Sequence, residues 1–106
     1  MRRMPSGGRI QPEPTPRPLE REEQERPWAV FIHNDDVTPM EFVVHILLLV
    51  FELPTPNAIL VMQTAHLSGR AYVQSLPRNE ACRRIGQGRF AARLRGFPLE
   101  FSLAAE

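Results

Sequence analysis

At 106 residues the chain is long enough for one domain and little more. Hydrophobic residues make up 42% of it, as in a globular protein, while thirteen basic against twelve acidic residues leave a net charge of +1, too weak a field to draw nucleic acid or an anionic membrane. The one cysteine, Cys82, excludes an intrachain disulfide framework and argues against a Cys-based zinc site, which fits a reducing cytoplasm.

Residues 1–26 hold Pro5, Pro12, Pro14, Pro16 and Pro18, then the charged run from Glu20 to Arg26. With almost no large apolar side chain there, ordering would cost backbone entropy that burial could not offset, so a disordered extension is expected, with the folded domain at 27–106. No apolar stretch follows the charged opening Met1-Arg2-Arg3, so no signal peptide is expected. The longest apolar run, Ile46 to Phe51, is far short of the roughly 20 residues a bilayer requires.

Trp28 to His33 is a short β-branched and aromatic run ended by Asn34-Asp35-Asp36, the pattern of a buried strand leading into a turn. Thr38, Pro39 and Glu41 predict a capped helix start with proline at the first helical position. Phe42, Val43, Ile46, Leu47, Leu49 and Val50 then give a mostly buried helix that Pro54 stops. Thr55 and Pro56 predict a second start, with Ile59, Met62, Ala65 and His66 on one face and Gly69 closing the helix. Arg70 to Leu76 reads as a strand, Ala71, Val73 and Ser75 opposing Tyr72, Gln74 and Leu76. Residues 78–95 predict a third helix despite Gly86 and Gly88, which read as local flexibility, and Pro98 to Leu103 alternates as a last strand. The expected fold is α+β, order β-α-α-β-α-β: a three-stranded antiparallel sheet packed on one face by three helices.

Two places carry polar residues of chemical interest, the turn His33-Asn34-Asp35-Asp36 and His66. Spacing alone leaves both open. Asx residues in a turn commonly bond their own backbone, and a histidine on an apolar face is commonly a satisfied core group. Cys82, His66 and Asn34 supply the residue types of a thiol hydrolase, without any nucleophile signature around Cys82. His33, Asp35, Asp36 and His66 could ligate a metal, but no pair is spaced to fix two ligands on one element, so no metal or other cofactor is expected. Arg83, Arg84, Arg89 and Arg93 read as a solvated face rather than a nucleic-acid patch.

The segment from Asn34-Asp35-Asp36-Val37-Thr38-Pro39-Met40-Glu41 to Val44 resembles the signature of the bacterial ClpS family, the adaptors of the Clp AAA+ protease that read N-degrons. Met62-Gln63-Thr64-Ala65-His66-Leu67-Ser68-Gly69-Arg70-Ala71 is similar to the family's Met-x-x-Val-His-x-x-Gly-Lys-Ala segment, and Gly96-Phe97-Pro98-Leu99 to its approach to the last strand. The resemblance spans roughly residues 28–104 without gaps. It implies a binding protein with no chemistry of its own, which holds the free N-terminal Leu, Phe, Tyr or Trp of a substrate and passes the chain to the N-terminal domain of a Clp unfoldase. A modulator that binds the unfoldase and only redirects or inhibits it is the alternative within the same fold.

By the same resemblance Asn34, Asp35 and His66 hold the α-ammonium, whose three N–H donors need convergent acceptors. His66 must then be neutral, so binding should weaken in acid. Ile32, Asp36, Thr38, Met40, Val43, Met62, Ala65 and Leu99 are implied to form the side-chain pocket, with Met40 rejecting β-branched first residues by a clash. Ala65 stands where the family has Val, which implies an altered ranking among Leu, Phe, Tyr and Trp. Asn79 and Arg84 match unfoldase-contacting positions; Arg84 keeps the charge of its position, and Asn79 lacks the acid usual there.

Overall fold

The computed structural model describes residues 25–106, so residues 1–24 of the expected extension lie outside the described residues. Strand β1 (Pro27–His33) is the centre of the sheet, paired antiparallel on one side with β2 (Arg70–Pro77) and on the other with β3 (Glu100–Ala105). Helices α1 (Met40–Leu49), α2 (Thr55–Ser68) and α3 (Arg78–Leu94) complete the order β-α-α-β-α-β. Ile32 lies opposite Ala71 and Phe101 across the two ladders, and all three are buried. Val30 sits two residues earlier on the same face of β1, fully buried, because side chains of a strand alternate. The core is completed by Leu47 and Phe51 from α1 and its exit and by Ala58, Ala81 and Ala92 from the other helices.

Both helix starts differ from the sequence expectation. Thr38 does not cap α1: its hydroxyl donates to Asp35 Oδ2 at 2.8 Å, and the first turn closes on the carbonyl of Pro39, which accepts from Phe42 and Val43 N–H at 3.1 Å. At α2 the cap position is Pro54, whose carbonyl accepts from Ala58 N–H at 2.9 Å, and Thr55 is already helical. The end of α1 also comes before Pro54. Glu52 takes a left-handed φ of 58°, which turns the chain so that Phe51 drops into the core against Phe101, ring centroids 5.4 Å apart. Leu49, expected inside, is 76% exposed.

Strand β2 carries a bulge that the alternation did not foretell. Val30 pairs with Gln74 and Phe31 with Tyr72, so Val73 has no partner. The extra residue shifts the face: Ala71, Val73 and Leu76 pack on the core, whereas Ser75, expected with them, joins Tyr72 on the other face and bonds its hydroxyl at 2.7 Å. Helix α3 runs unbroken through both glycines. Gly88 is buried, and a Cβ there would stand 3.0 Å from the Phe101 ring and 3.3 Å from Ile46, so this glycine permits close approach of α3 to the sheet and α1. It is a packing residue, not a point of flexibility. No helix among the described residues is long and apolar enough to cross a membrane.

Candidate functional site

Gly69 ends α2 with φ +94°, a conformation that favours glycine, and its N–H donates to Ala65 O at 2.8 Å. Its carbonyl accepts from Asn34 N–H at 2.8 Å. This one backbone bond ties the end of β1 to the end of α2, and so holds the turn after β1 beside His66.

Between them lies a cavity lined by Ile32, His33, Asn34 and Asp35 from β1 and its turn, by Thr38, Met40 and Val43 around the start of α1, by Met62, Ala65 and His66 from α2, and by Leu99. Ten of the eleven residues singled out from the sequence as amine-binding or pocket-lining are therefore brought together here. Asp36 is the exception: it is exposed and does not line the cavity. The loop is organised by its neighbour Asp35. Asp35 Oδ1 accepts from the N–H of Val37 at 2.8 Å and of Thr38 at 2.7 Å, while Oδ2 takes the Thr38 hydroxyl. Burial pushes the Asp35 carboxyl up, but the hydrogen bonds from Thr38 and Val37, with the charge of Arg93, outweigh that and hold it below its usual range. Three of roughly four lone-pair sites are thus occupied, and one remains to accept from a ligand.

Two contributors were not assigned to the pocket from the sequence. His33 lines the cavity as the last strand residue, with Nε2 2.8 Å from Ser102 Oγ. Arg93, taken for part of a solvated face, donates from Nη1 to the carbonyls of Phe97 and Leu99 at 2.9 Å and pairs with Glu100, which fixes Leu99 in the wall. Arg84 is likewise engaged, correcting the idea of a freely solvated row. Its Nη1 donates to Phe51 O at 3.1 Å and its Nε to Glu80 at 2.7 Å. Hydrogen bonds from Arg83 and then Arg84 hold the Glu80 carboxyl at about 2. Asn79 is exposed on the first turn of α3.

Cys82 is exposed and lines a different groove, between α3 and β3, with neither Asn34 nor His66. The residue types of a thiol hydrolase therefore do not converge. Among the described residues no three His, Cys, Asp or Glu side chains gather as a metal site, so His33, Asp35, Asp36 and His66 do not form one.

The cavity's free space is about 10 Å³, room for a water molecule at most. A Leu or Phe side chain enters only if the wall moves, and the unbranched side chains of Met40 and Met62 are the adaptable part of it. Helices on one face of a short sheet, with an acceptor-bearing rim around an apolar cavity at the sheet's end, define a small α+β binding domain. The chain belongs to the ClpS family: the family model described as ATP-dependent Clp protease adaptor protein ClpS matches residues 23–102. The ATP-dependent Clp protease adapter protein ClpS of Desulforapulum autotrophicum is 37% identical over 79 residues, covering 74% of this chain and 76% of that protein. ClpS 2 of Agrobacterium fabrum is 36% identical over 93 residues, 86% of this chain and 90% of its own. Among solved structures, Agrobacterium tumefaciens ClpS2 bound to L-phenylalaninamide superposes with a TM-score of 0.72 at 34% identity, over 76% of this chain and 98% of that one.

Proposed function

We propose that this protein is a cytoplasmic, non-catalytic adaptor that holds the free N-terminal residue of a substrate protein, a large hydrophobic one such as Leu, Phe, Tyr or Trp, and delivers the substrate to the N-terminal domain of a Clp unfoldase. What supports the reading is the meeting of Asn34, Asp35 and His66 on the rim of one apolar cavity. An α-ammonium brings three N–H donors, and these side chains offer an amide oxygen, a carboxylate lone pair and a ring nitrogen. The side chain of the first residue displaces Met40 and Met62 and packs between Ile32, Val43, Ala65 and Leu99. Burying it contributes roughly 1.5–3 kcal/mol, and each charge-assisted hydrogen bond about as much, so low-micromolar or tighter affinity survives the association entropy. Docking to the unfoldase uses the first turn of α3 around Asn79, with Arg84 bracing that turn against Glu80 and the Phe51 carbonyl. The Pro-rich residues ahead of the domain are the part of this chain that the unfoldase takes hold of during delivery.

Fluorescence anisotropy with peptides beginning Leu, Phe, Tyr, Trp, Ile and Ala, each free and N-acetylated, tests the binding. The free Leu and aromatic peptides should bind at low-micromolar concentration, and the acetylated ones at least about tenfold more weakly, since acetylation removes the charge and two donors. Equal binding of capped and uncapped peptides refutes the amine clasp.

A further inference from the structure

Beside the cavity, the seam between α1 and α2 forms a second and more open hollow with walls of Met40, Val44, Leu48, Ile59 and Met62. Glu41 and His45 are its only polar members. Met40 and Met62 line both hollows, so a single layer of side chains divides them. Met40 is 48% and Ile59 39% exposed, which leaves the apolar floor open to whatever lies across it.

The arrangement has a direction. On α2, His66, Met62 and Ile59 follow at steps of four and three residues, and on α1 Met40, Val44 and Leu48 follow at steps of four. Each set forms a row along its helix, with neighbours about 5–6 Å apart. The α2 row starts at the proposed amine acceptor, passes the shared wall and ends in the second hollow. With its ammonium between Asn34 and His66 and its first side chain in the cavity, a peptide that follows the α2 row passes its first carbonyl over the Met40 and Met62 wall. In an extended peptide, residues 1 and 3 point their side chains the same way, about 6.5–7 Å apart. Two hollows that share a single layer of side chains suit a pair of side chains at this spacing.

We propose that the α1–α2 hollow is a subsite for the side chain of the peptide's third residue and favours a large apolar group there. This rests on the adaptor reading above and adds to it a second determinant of substrate choice. The second residue points away from both hollows and is read weakly.

Anisotropy with three peptides of otherwise identical sequence tests it: Phe-Ser-Leu, Phe-Ser-Ser and Phe-Leu-Ser at their free N-termini. Partial burial of the leucine should make Phe-Ser-Leu bind about three- to tenfold more tightly than Phe-Ser-Ser, with Phe-Leu-Ser within about twofold of Phe-Ser-Ser. Ile59→Glu, at a partly exposed helix position outside the cavity lining, should abolish the preference and leave Phe-Ser-Ser affinity as it was. Should circular dichroism show Ile59→Glu unfolded, Ile59→Ser should at least halve the preference. Equal binding of Phe-Ser-Leu and Phe-Ser-Ser overturns the subsite while leaving the adaptor reading standing, as does a preference that follows the second residue or survives both substitutions. If none of the three peptides binds, the adaptor reading itself falls and takes the subsite with it.

Discussion

Asp35 has two jobs that a pair of substitutions can separate. Its carboxylate accepts two backbone N–H groups and one hydroxyl of its own loop, and the proposed function gives its remaining lone pair to a ligand's ammonium. Asp35→Ala leaves the Val37 and Thr38 amides to water, a loss like that of a helix N-cap, about 1–2 kcal/mol. For a domain of about 80 residues that lowers Tm by roughly 5–15 °C. Asp35→Asn keeps an oxygen for both amides, and its Nδ2 can donate to the Thr38 hydroxyl, which then accepts, so Tm should fall by no more than about 3 °C. The charge and the spare lone pair are gone, however, and affinity for a Phe-initiated peptide should drop about tenfold or more. Thermal denaturation followed by circular dichroism, with anisotropy on the same samples, reads both quantities. An Asn variant that melts as low as the Ala variant, or one that binds as tightly as the parent, refutes the division of roles. The lowered pKa fixes the pH window. A carboxyl depressed on folding contributes its full stabilisation above the ordinary value of 3.8 and loses it only as pH falls through the lowered one. The loop therefore stays latched in mild acid.

His66→Ala removes one of the three proposed acceptors and should weaken free Phe- and Leu-initiated peptides about tenfold or more in anisotropy; unchanged affinity would rule out a His66 acceptor. Ala65→Val adds two methyl groups to a wall that is 4% exposed, and should cost Trp- and Phe-initiated peptides more affinity than Leu-initiated ones, by about threefold or more; an unchanged ranking removes Ala65 from specificity. The glycines of α3 should behave oppositely on denaturant titration: Gly86→Ala, with nothing within 4 Å of the new Cβ, stabilises by about 0.5–1 kcal/mol. Gly88→Ala, pressed on Phe101 and Ile46, destabilises by about 1 kcal/mol, since overpacking there outweighs the gain in helix propensity. Stabilisation by both would mean that α3 can retreat from the sheet.

The elements were legible where local chemistry decides them. The β-branched run to His33 and the glycine at 69 appear at their expected places, and the last strand forms two residues later than its alternation suggests, at Glu100–Ala105 rather than from Pro98 to Leu103. What was hidden depends on partners distant in sequence or on competition for one donor. Thr38 reads as a cap, yet its hydroxyl is taken by Asp35, and Pro39 supplies the carbonyl that the first turn needs. The bulge at Val73 leaves no local signal, because an unpaired residue is defined only against β1. Gly88 looks like a weak point until Phe101 is seen across from it. At the site, helical spacing put Met62 and His66 on one face, but that face could as well have been core. Only the resemblance joined it to Asn34 and Asp35, and neither source pointed to Arg93, whose part is to hold two carbonyls near Leu99.

The link from the Asn34 amide to the Gly69 carbonyl uses main-chain atoms on both sides. Any residue but proline can supply the first, and the second asks only that the turn at Gly69 keep its shape. The two sides of the cavity are thus registered by a bond that asks for no particular side chain at Asn34 and only for a left-handed turn at Gly69, while the residues that line the cavity are free to vary. Such a scaffold lets ligand preference drift by single substitutions without disturbing the frame that presents it.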